Sequence, residues 1–410
     1  MNFKYLALGI LALTFLFQTF TEWLQIKSAG REIPENVKDI YDGESYQKWL
    51  QYYKEKTRLS FWRHIVSYAV AFAVLFFDVY ANIVRGLSLT GDYAAALGVL
   101  AADLLISLIY AIPFDYADAM GIEQKYGFNR MTKKTFVIDQ IKDTLIGLVL
   151  MGAICCLFIL VHRALGDWLL VVFTAVMLLF VLLVVVLSPM IGKIHNKFQP
   201  LPDGELRERL IRLLDENGCS VKAIHVMDGS RRSSKANAYF TGLGKTKTIV
   251  LYDTLLEQMT DDEIVAVFAH EMGHNKHRDT LKMYVMNVLN VILSVLLAWG
   301  LVSVPEIYED FGFGGLNYGF AFFLLSTVCL SFLSPFLGLF FNALSRKFEY
   351  AADRFAAENG YGESLSTALK VLSRNSFACL TPHPLLVALT GSHPTVSQRI
   401  AALEKKVPAE

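Results

Sequence analysis

Charge is the scarce ingredient of this chain. Only 19% of its 410 residues are Asp, Glu, Lys or Arg, where ordinary soluble domains carry about 25%. Those charges cancel, 38 basic against 38 acidic, so no overall field directs the molecule to a polyanion and no nucleic-acid partner is expected. Cysteine is scarce as well: five residues cannot make a disulfide scaffold, and none forms a C-x-x-C pair. Cys155 and Cys156 lie inside an apolar run, while Cys219, Cys329 and Cys379 are scattered, as buried reduced thiols are. The sequence has no internal repeat, no low-complexity tract and no Pro-rich or Gly/Ser-rich linker. What it has in excess is apolar surface: 54% of residues fall in the AVILMFWYC set, and the mean hydropathy is +0.40. That excess excludes a disordered chain and places much of the molecule in lipid.

A helix of about 19 residues crosses the roughly 30 Å hydrocarbon layer, and a window of that length picks out seven spans. They run approximately over residues 5–23, 65–84, 93–114, 144–161, 168–190, 283–304 and 318–344. A cleaved signal peptide is the alternative for the first, against which stand its long apolar run and the poor cleavage site Ser28-Ala29-Gly30 after Lys27. Connections 24–62, 115–136 and 191–282 are rich in Lys and Arg. The alternate ones hold only Arg85, only Arg163, or, between Pro305 and Tyr318, none. The positive-inside rule then expects the N-terminus outside and the C-terminus in the cytosol. Asp78 and Asp103 fall within spans, are costly in hydrocarbon, and are expected to face the interior as structural pairs or along a substrate path.

Two stretches are polar enough to fold in water: 191–282 and the tail after Arg346. In the first, 205–217 reads as a helix closed by Gly218, and 223–227, 238–241 and 248–252 read as strands of a small sheet, with a turn at Gly242-Leu243-Gly244. Thr260-Asp261-Asp262-Glu263 has the form of a capping box, and its three acids suit the positive end of a helix dipole. The helix that follows carries His270-Glu271-Met272-Gly273-His274.

Residues four apart share a helical face, so His270 and His274 can offer two imidazoles to one metal. Glu271 then lies where it can take a proton from metal-bound water. His277 stands a turn further on a drifting face, and a histidine-rich extension of the motif would need His where Thr280 stands, so His277 is expected to be solvated or to sit behind the ligands. Downstream, Glu349 and Asp353 are four apart: Glu349 can complete a His2Glu set and Asp353 can accept the spare ring N–H of a histidine. The alternative is that Glu349 merely pairs with Arg346, and spacing leaves the two open.

HEMGH at 270–274, SRKFEYAAD at 345–353, NAYFTGLGKTKTIVLYDTLL at 237–256, EQKYGFNRMTKKTF at 123–136 and SHPTVSQRI at 392–400 together resemble the type I integral-membrane zinc CAAX prenyl proteases, over the whole chain. The resemblance implies an all-α multi-pass membrane protein: seven transmembrane helices form a ring around an intramembrane chamber, with a gluzincin-like α+β metalloprotease domain on the cytosolic side. It implies one zinc ion per chain held by His270, His274 and Glu349, with Glu271 as general base and later proton donor. It gives His393 of the SHP motif the oxyanion, Arg399 a part in holding His393 or the substrate, and Asn237 and Ala238 the substrate backbone. Read without the family, His393-Pro394 would be a surface turn and Asn237 an ordinary strand entry.

The expected organisation is a membrane region at 1–190 with spans one to five, a first protease part at 191–282, spans six and seven at 283–344, and a second protease part at 345–410. Gln398 stands where many members have Glu. The tail after Lys405 lacks a dilysine retrieval signal, which with the short outer loops leads us to expect a bacterial inner membrane. The expected activity is that of a zinc endopeptidase, monomeric and in contact with membrane lipid, cutting near the C-terminus of peptide or lipidated-peptide substrates. A host without prenylation would instead use it in membrane-protein quality control. A protease cutting within the bilayer is opposed by the charges on both sides of HEMGH. A transporter or channel with a structural metal is opposed by the lack of a repeat and by Glu271, which would have no role.

Overall fold

The computed structural model describes residues 2–219, 221–241 and 248–405, so the expected turn at Gly242-Leu243-Gly244 and the end of the tail lie outside the described residues. The chain begins with long helices: α1 (Phe3–Ser28), α2 (Gly43–Phe76), the short α3 (Val79–Gly86), α4 (Asp92–Tyr116), α5 (Lys133–Leu165) and α6 (Leu169–Ile191). A sheet and its helices follow: β1 (Phe198–Pro200), α7 (Glu205–Glu216), β2 (Ala223–Met227), β3 (Ala238–Thr241), β4 (Thr248–Tyr252), α8 (Asp253–Gln258) and α9 (Asp261–Lys276). The chain then returns to apolar helices: α10 (Asp279–Val302), the short α11 (Glu306–Asp310), α12 (Tyr318–Leu324) and α13 (Ser331–Glu358). It ends with α14 (Gly362–Ser376), α15 (Pro384–Thr390) and α16 (Val396–Glu404).

The helices that carry the spans are longer than their apolar cores. α2 starts at Gly43, capped by the Asp42 carboxylate accepting from Ser45 N–H, well inside what the sequence reads as connection 24–62. Its polar first half carries Trp49 and Tyr52, which are buried, so packing rather than apolar content sustains the helix there. The expected span 65–84 is cut after Phe76: Asp78 has a left-handed φ of 52° and binds Lys4 at 2.8 Å. α4 passes into a π-helical turn at Ala117–Glu123, and α12 passes through another, Leu325–Leu330, into α13.

Among the described residues, six helical segments are long and apolar enough to cross a membrane. One of them, Lys133–Ser188, contains 56 residues, which as one straight helix would reach about 84 Å. It is interrupted by a 3-10 turn at Gly166–Trp168, where Gly166 has φ 54°, and α5 and α6 pack against each other. In the membrane part, Asp103 accepts from Tyr80 Oη at 2.6 Å, and the loop after α11 is folded in, with Phe311 and Phe313 buried against Phe320.

The sheet has the order β1-β2-β4-β3, with β2 and β4 parallel and the other pairs antiparallel. The three strands expected from sequence keep their expected bounds; β1 is additional, and its Pro200 suits an edge strand. α9 packs between this sheet's β3 and α13 and α14. Its capping box is complete, Glu263 N–H donating to Thr260 Oγ1 and the Glu263 carboxylate accepting from Thr260 N–H at 2.9 Å. A second core gathers around α9, and Val37, Ile40 and Trp49 from the N-terminal region belong to it. A connection between the first two expected spans therefore helps to build the water-soluble part.

Candidate metal centre

Two helices hold the centre, and a missing side chain lets them meet. A Cβ on Gly273 would lie 2.8 Å from Ala352 Cα, so only glycine allows α9 to approach α13 this closely. The contact sets His270 and His274, one turn apart on α9, opposite Glu349 and Asp353, one turn apart on α13. One ligand atom from each of His270, His274 and Glu349 lies within 4.8 Å of the others. His270 Nε2 is 3.6 Å from Glu349 Oε2, and His274 Nε2 is 3.4 Å from Glu349 Oε1. Arg346, the alternative partner of Glu349, turns away and donates to the Val387 and Gly391 carbonyls at 2.9 and 2.7 Å.

The other ring nitrogens are engaged. His270 Nδ1 lies 2.9 Å from Asp353 Oδ1, and His274 Nδ1 lies 2.9 Å from Asp279 Oδ2. With both Nδ1 atoms turned to carboxylates, both Nε2 atoms converge on Glu349, and each would offer a lone pair there once free of its proton. Glu349 Oε2 is buried and accepts no hydrogen bond. Two imidazoles and one carboxylate, held from behind and with an oxygen that accepts no hydrogen bond between them, match the donor set of a divalent metal such as zinc.

Asp279 is the residue that sequence reasoning missed. Between α9 and α10, Arg278 lies in the left-handed region at φ 57°, and this reversal brings the first residue of α10 back against His274. Lys282 holds its second oxygen at 2.9 Å. An acid a few residues past the second histidine, just beyond the end of a helix, was the signal that could have found it. Burial alone would push the His274 imidazole down, but hydrogen bonds to Asp279 and Glu349 and the charge of Glu271 raise it to about 10.

Around this set, Arg399 is buried and donates to Asp353 at 2.6 and 2.9 Å, with Nη1 at 3.4 Å from Glu349 Oε2. Its guanidinium thus faces the carboxylates. The His393 ring is exposed, with Nε2 at 3.3 Å from Glu349 Oε1. Ser392 Oγ sits 2.9 Å from His393 Nδ1, and with that hydroxyl donating, the ring proton falls on Nε2, which faces the centre. The His277 ring is partly buried beside Phe355, with Nδ1 buried and without a hydrogen-bond partner, so it is not simply solvated.

β3 lies against α9 at the edge of the sheet. Tyr252 N–H donates to the Asn237 carbonyl at 3.0 Å, so the next pair, Ala238 with Leu251, is a non-hydrogen-bonded one. The Ala238 N–H and C=O therefore point away from β4 to the open edge, where the N–H is taken by Asn237 Oδ1 at 2.9 Å.

Comparison with known proteins matches both halves of the chain. Residues 200–407 match the model of peptidase family M48, and residues 22–193 match that of the CAAX prenyl protease N-terminal region, five membrane helices. CAAX prenyl protease 1 homolog of Arabidopsis thaliana is 32% identical over 97% of this chain and 96% of its own length. CAAX prenyl protease 1 of Saccharomyces cerevisiae is 28% identical over 98% and 95%. The crystal structure of S. mikatae Ste24p superposes with a TM-score of 0.92 at 27% identity, covering 98% of this chain and 99% of that one. A family match over half the chain, full-length relatives and a shared fold lead to one assignment: the chain belongs to peptidase family M48, as a membrane metalloendopeptidase of the CAAX prenyl protease 1 kind.

Proposed function

We propose that this enzyme binds one zinc ion through His270, His274 and Glu349 and hydrolyses a peptide bond near the C-terminus of CAAX-type substrates. The convergence of two backed imidazoles on a buried carboxylate, one oxygen of which accepts no hydrogen bond, carries the reading. Zinc, when bound, supplies a Lewis-acidic position at which a water ionises near pH 7. Glu271, beside the ligands on α9, takes the proton of the attacking water and delivers it to the leaving amine. His393 donates from Nε2 to the oxygen of the scissile carbonyl as charge develops there. Arg399 fixes Asp353, and Asp353 fixes His270. The substrate lies extended along β3, and the outward N–H and C=O of Ala238 pair with its backbone once the Asn237 side chain releases the N–H.

The break at Gly166–Trp168 divides the 56-residue helical segment into two crossings, which makes seven in all around an intramembrane chamber. The N-terminus then lies outside and the C-terminus in the cytosol, with the Lys- and Arg-rich connections on the side of the metal centre. The relatives named above come from a plant and yeasts and lend no support to the expected bacterial inner membrane.

Glu271→Ala tests the mechanism. It should retain zinc and lose at least about 10²-fold in release of the C-terminal tripeptide from a Cys-aliphatic-aliphatic-X peptide. Unchanged hydrolysis with zinc in place would refute the role of Glu271. The same assay with and without a farnesyl group separates prenyl-dependent processing from general quality control.

A further inference from the structure

The 123–136 motif has no part in the chemistry above, yet it grips the polypeptide just before β3. Asn129 and Ser233 form an antiparallel bridge. Arg130 N–H donates to the Arg232 carbonyl at 3.0 Å, and Ser234 N–H donates to the Phe128 carbonyl at 2.9 Å. Ser234 Oγ adds a bond to the Gly127 carbonyl at 3.0 Å. From the other side, Gln258 donates to the Ser234 carbonyl at 2.6 Å and Thr254 Oγ1 donates to the Lys235 carbonyl at 3.0 Å. The backbone two residues ahead of Asn237 is thus fixed on both flanks.

Lys235 completes the grip. Its ammonium lies 2.9 Å from Glu123 Oε2, 3.2 Å from Tyr52 Oη and 4.6 Å from the centroid of the Phe128 ring, which gives each of its three donors a partner. Glu123 in turn accepts from Tyr52 Oη at 2.6 Å and lies 3.1 Å from Lys56. Tyr52 and Lys56 stand on α2, and Glu123 ends the π-helical turn that extends α4. A small apolar cluster of Tyr52, Tyr126 and Phe128, with Phe377 against it, shields the pair.

We infer that loop 123–130 and Lys235 form a clamp that sets the position of the substrate edge strand relative to the metal centre, and that Glu123 and Lys235 are positioning residues for peptide binding. The inference rests on the reading of β3 as the strand that pairs with substrate. Neither residue touches the ligand set, so the clamp acts on where the peptide lies and not on zinc. It also ties the edge strand to two membrane helices, which gives those helices a direct hold on the substrate register. A strand displaced by a fraction of its hydrogen-bond spacing loses main-chain pairing first, and that loss is uniform binding, which raises KM with kcat little changed.

The test uses the full-length zinc enzyme and a farnesylated, internally quenched Cys-aliphatic-aliphatic-X peptide, together with a copy N-methylated at single backbone amides. Lys235→Met and Glu123→Gln should each raise KM about tenfold with kcat within threefold and zinc content unchanged, and Lys235→Arg should recover part of the loss. N-methylation should penalise the wild type strongly at the amide paired with β3 and penalise Lys235→Met at most twofold there. An unaltered KM in both variants overturns the clamp, as does a fall in kcat with loss of zinc, which would mark a merely structural role. If Lys235→Met does not accumulate in membranes, Glu123→Gln decides the matter by the same readouts. N-methylation that costs the wild type nothing at any amide overturns the edge-strand reading itself, whatever the variants do.

Discussion

α6 and α9 bury opposite kinds of sequence. All of α6 except Thr174, Ser188 and Pro189 is apolar, yet among its described side chains only Leu169 and Phe173 are buried. α9 mixes acids, histidines and aliphatics, yet ten of its 16 residues are buried. In water, an apolar stripe marks the face that packs inward. In lipid the outward face is free to be apolar, and helix contacts depend on fit and on polar partners. A hydrophobic run in this chain therefore reports contact with lipid, whereas a core must be recognised from caps, glycines and paired charges.

The sharpest way to break that contrast is to truncate one large side chain in each helix. Phe268→Ala in α9 should cost about 3–5 kcal/mol, against under about 0.5 kcal/mol for the outward-facing Leu179→Ala in α6. Thermal unfolding in detergent compares the two, and equal losses would erase the distinction. Charge should reverse the sensitivity of α6: Leu179→Lys, at mid-helix, should disfavour insertion by about 2.5–3.5 kcal/mol, read as the inserted fraction in a glycosylation-mapping assay. A smaller effect, confined to the site, comes from the carboxylate behind His274. Asp279→Asn should weaken zinc binding by about 10–100-fold, measured by competition with a chelator, with the helices still inserted. The smallest is at the start of α9, where Thr260→Ala removes the cap and should lower stability by about 1 kcal/mol.

Much of the site was legible because its spacing is local. His270 and His274, Glu349 and Asp353, and Thr260 and Glu263 are each pairs within one turn of helix, and such pairs share a face whatever the tertiary structure does. The three strands were legible for a similar reason, since their apolar runs end at turn residues. What stayed hidden depends on contacts between distant segments. The first half of α2 is polar and is helical because Trp49 packs under the soluble core, which no window of hydropathy can register. The breaks at Asp78 and Arg278 are left-handed residues with no glycine to announce them. Asp279 became a partner of His274 only through the second of these breaks. The part of Arg399 was visible by resemblance alone, and its partner, Asp353, only in three dimensions.

The close passage of α9 over α13 at Gly273 and Ala352 also has a meaning in time. Between the histidines and Glu349 the chain runs through α10, α11 and α12, so the last ligand is synthesised after the membrane helices that carry it to the site. A ribosome that has finished α9 has made the hydrolytic helix but not a hydrolase. The three side chains of the proposed ligand set come together only when α13 has come back to meet the glycine. Glu349, His393 and Arg399, each given a part in the proposed chemistry, all follow α10, α11 and α12 in the chain.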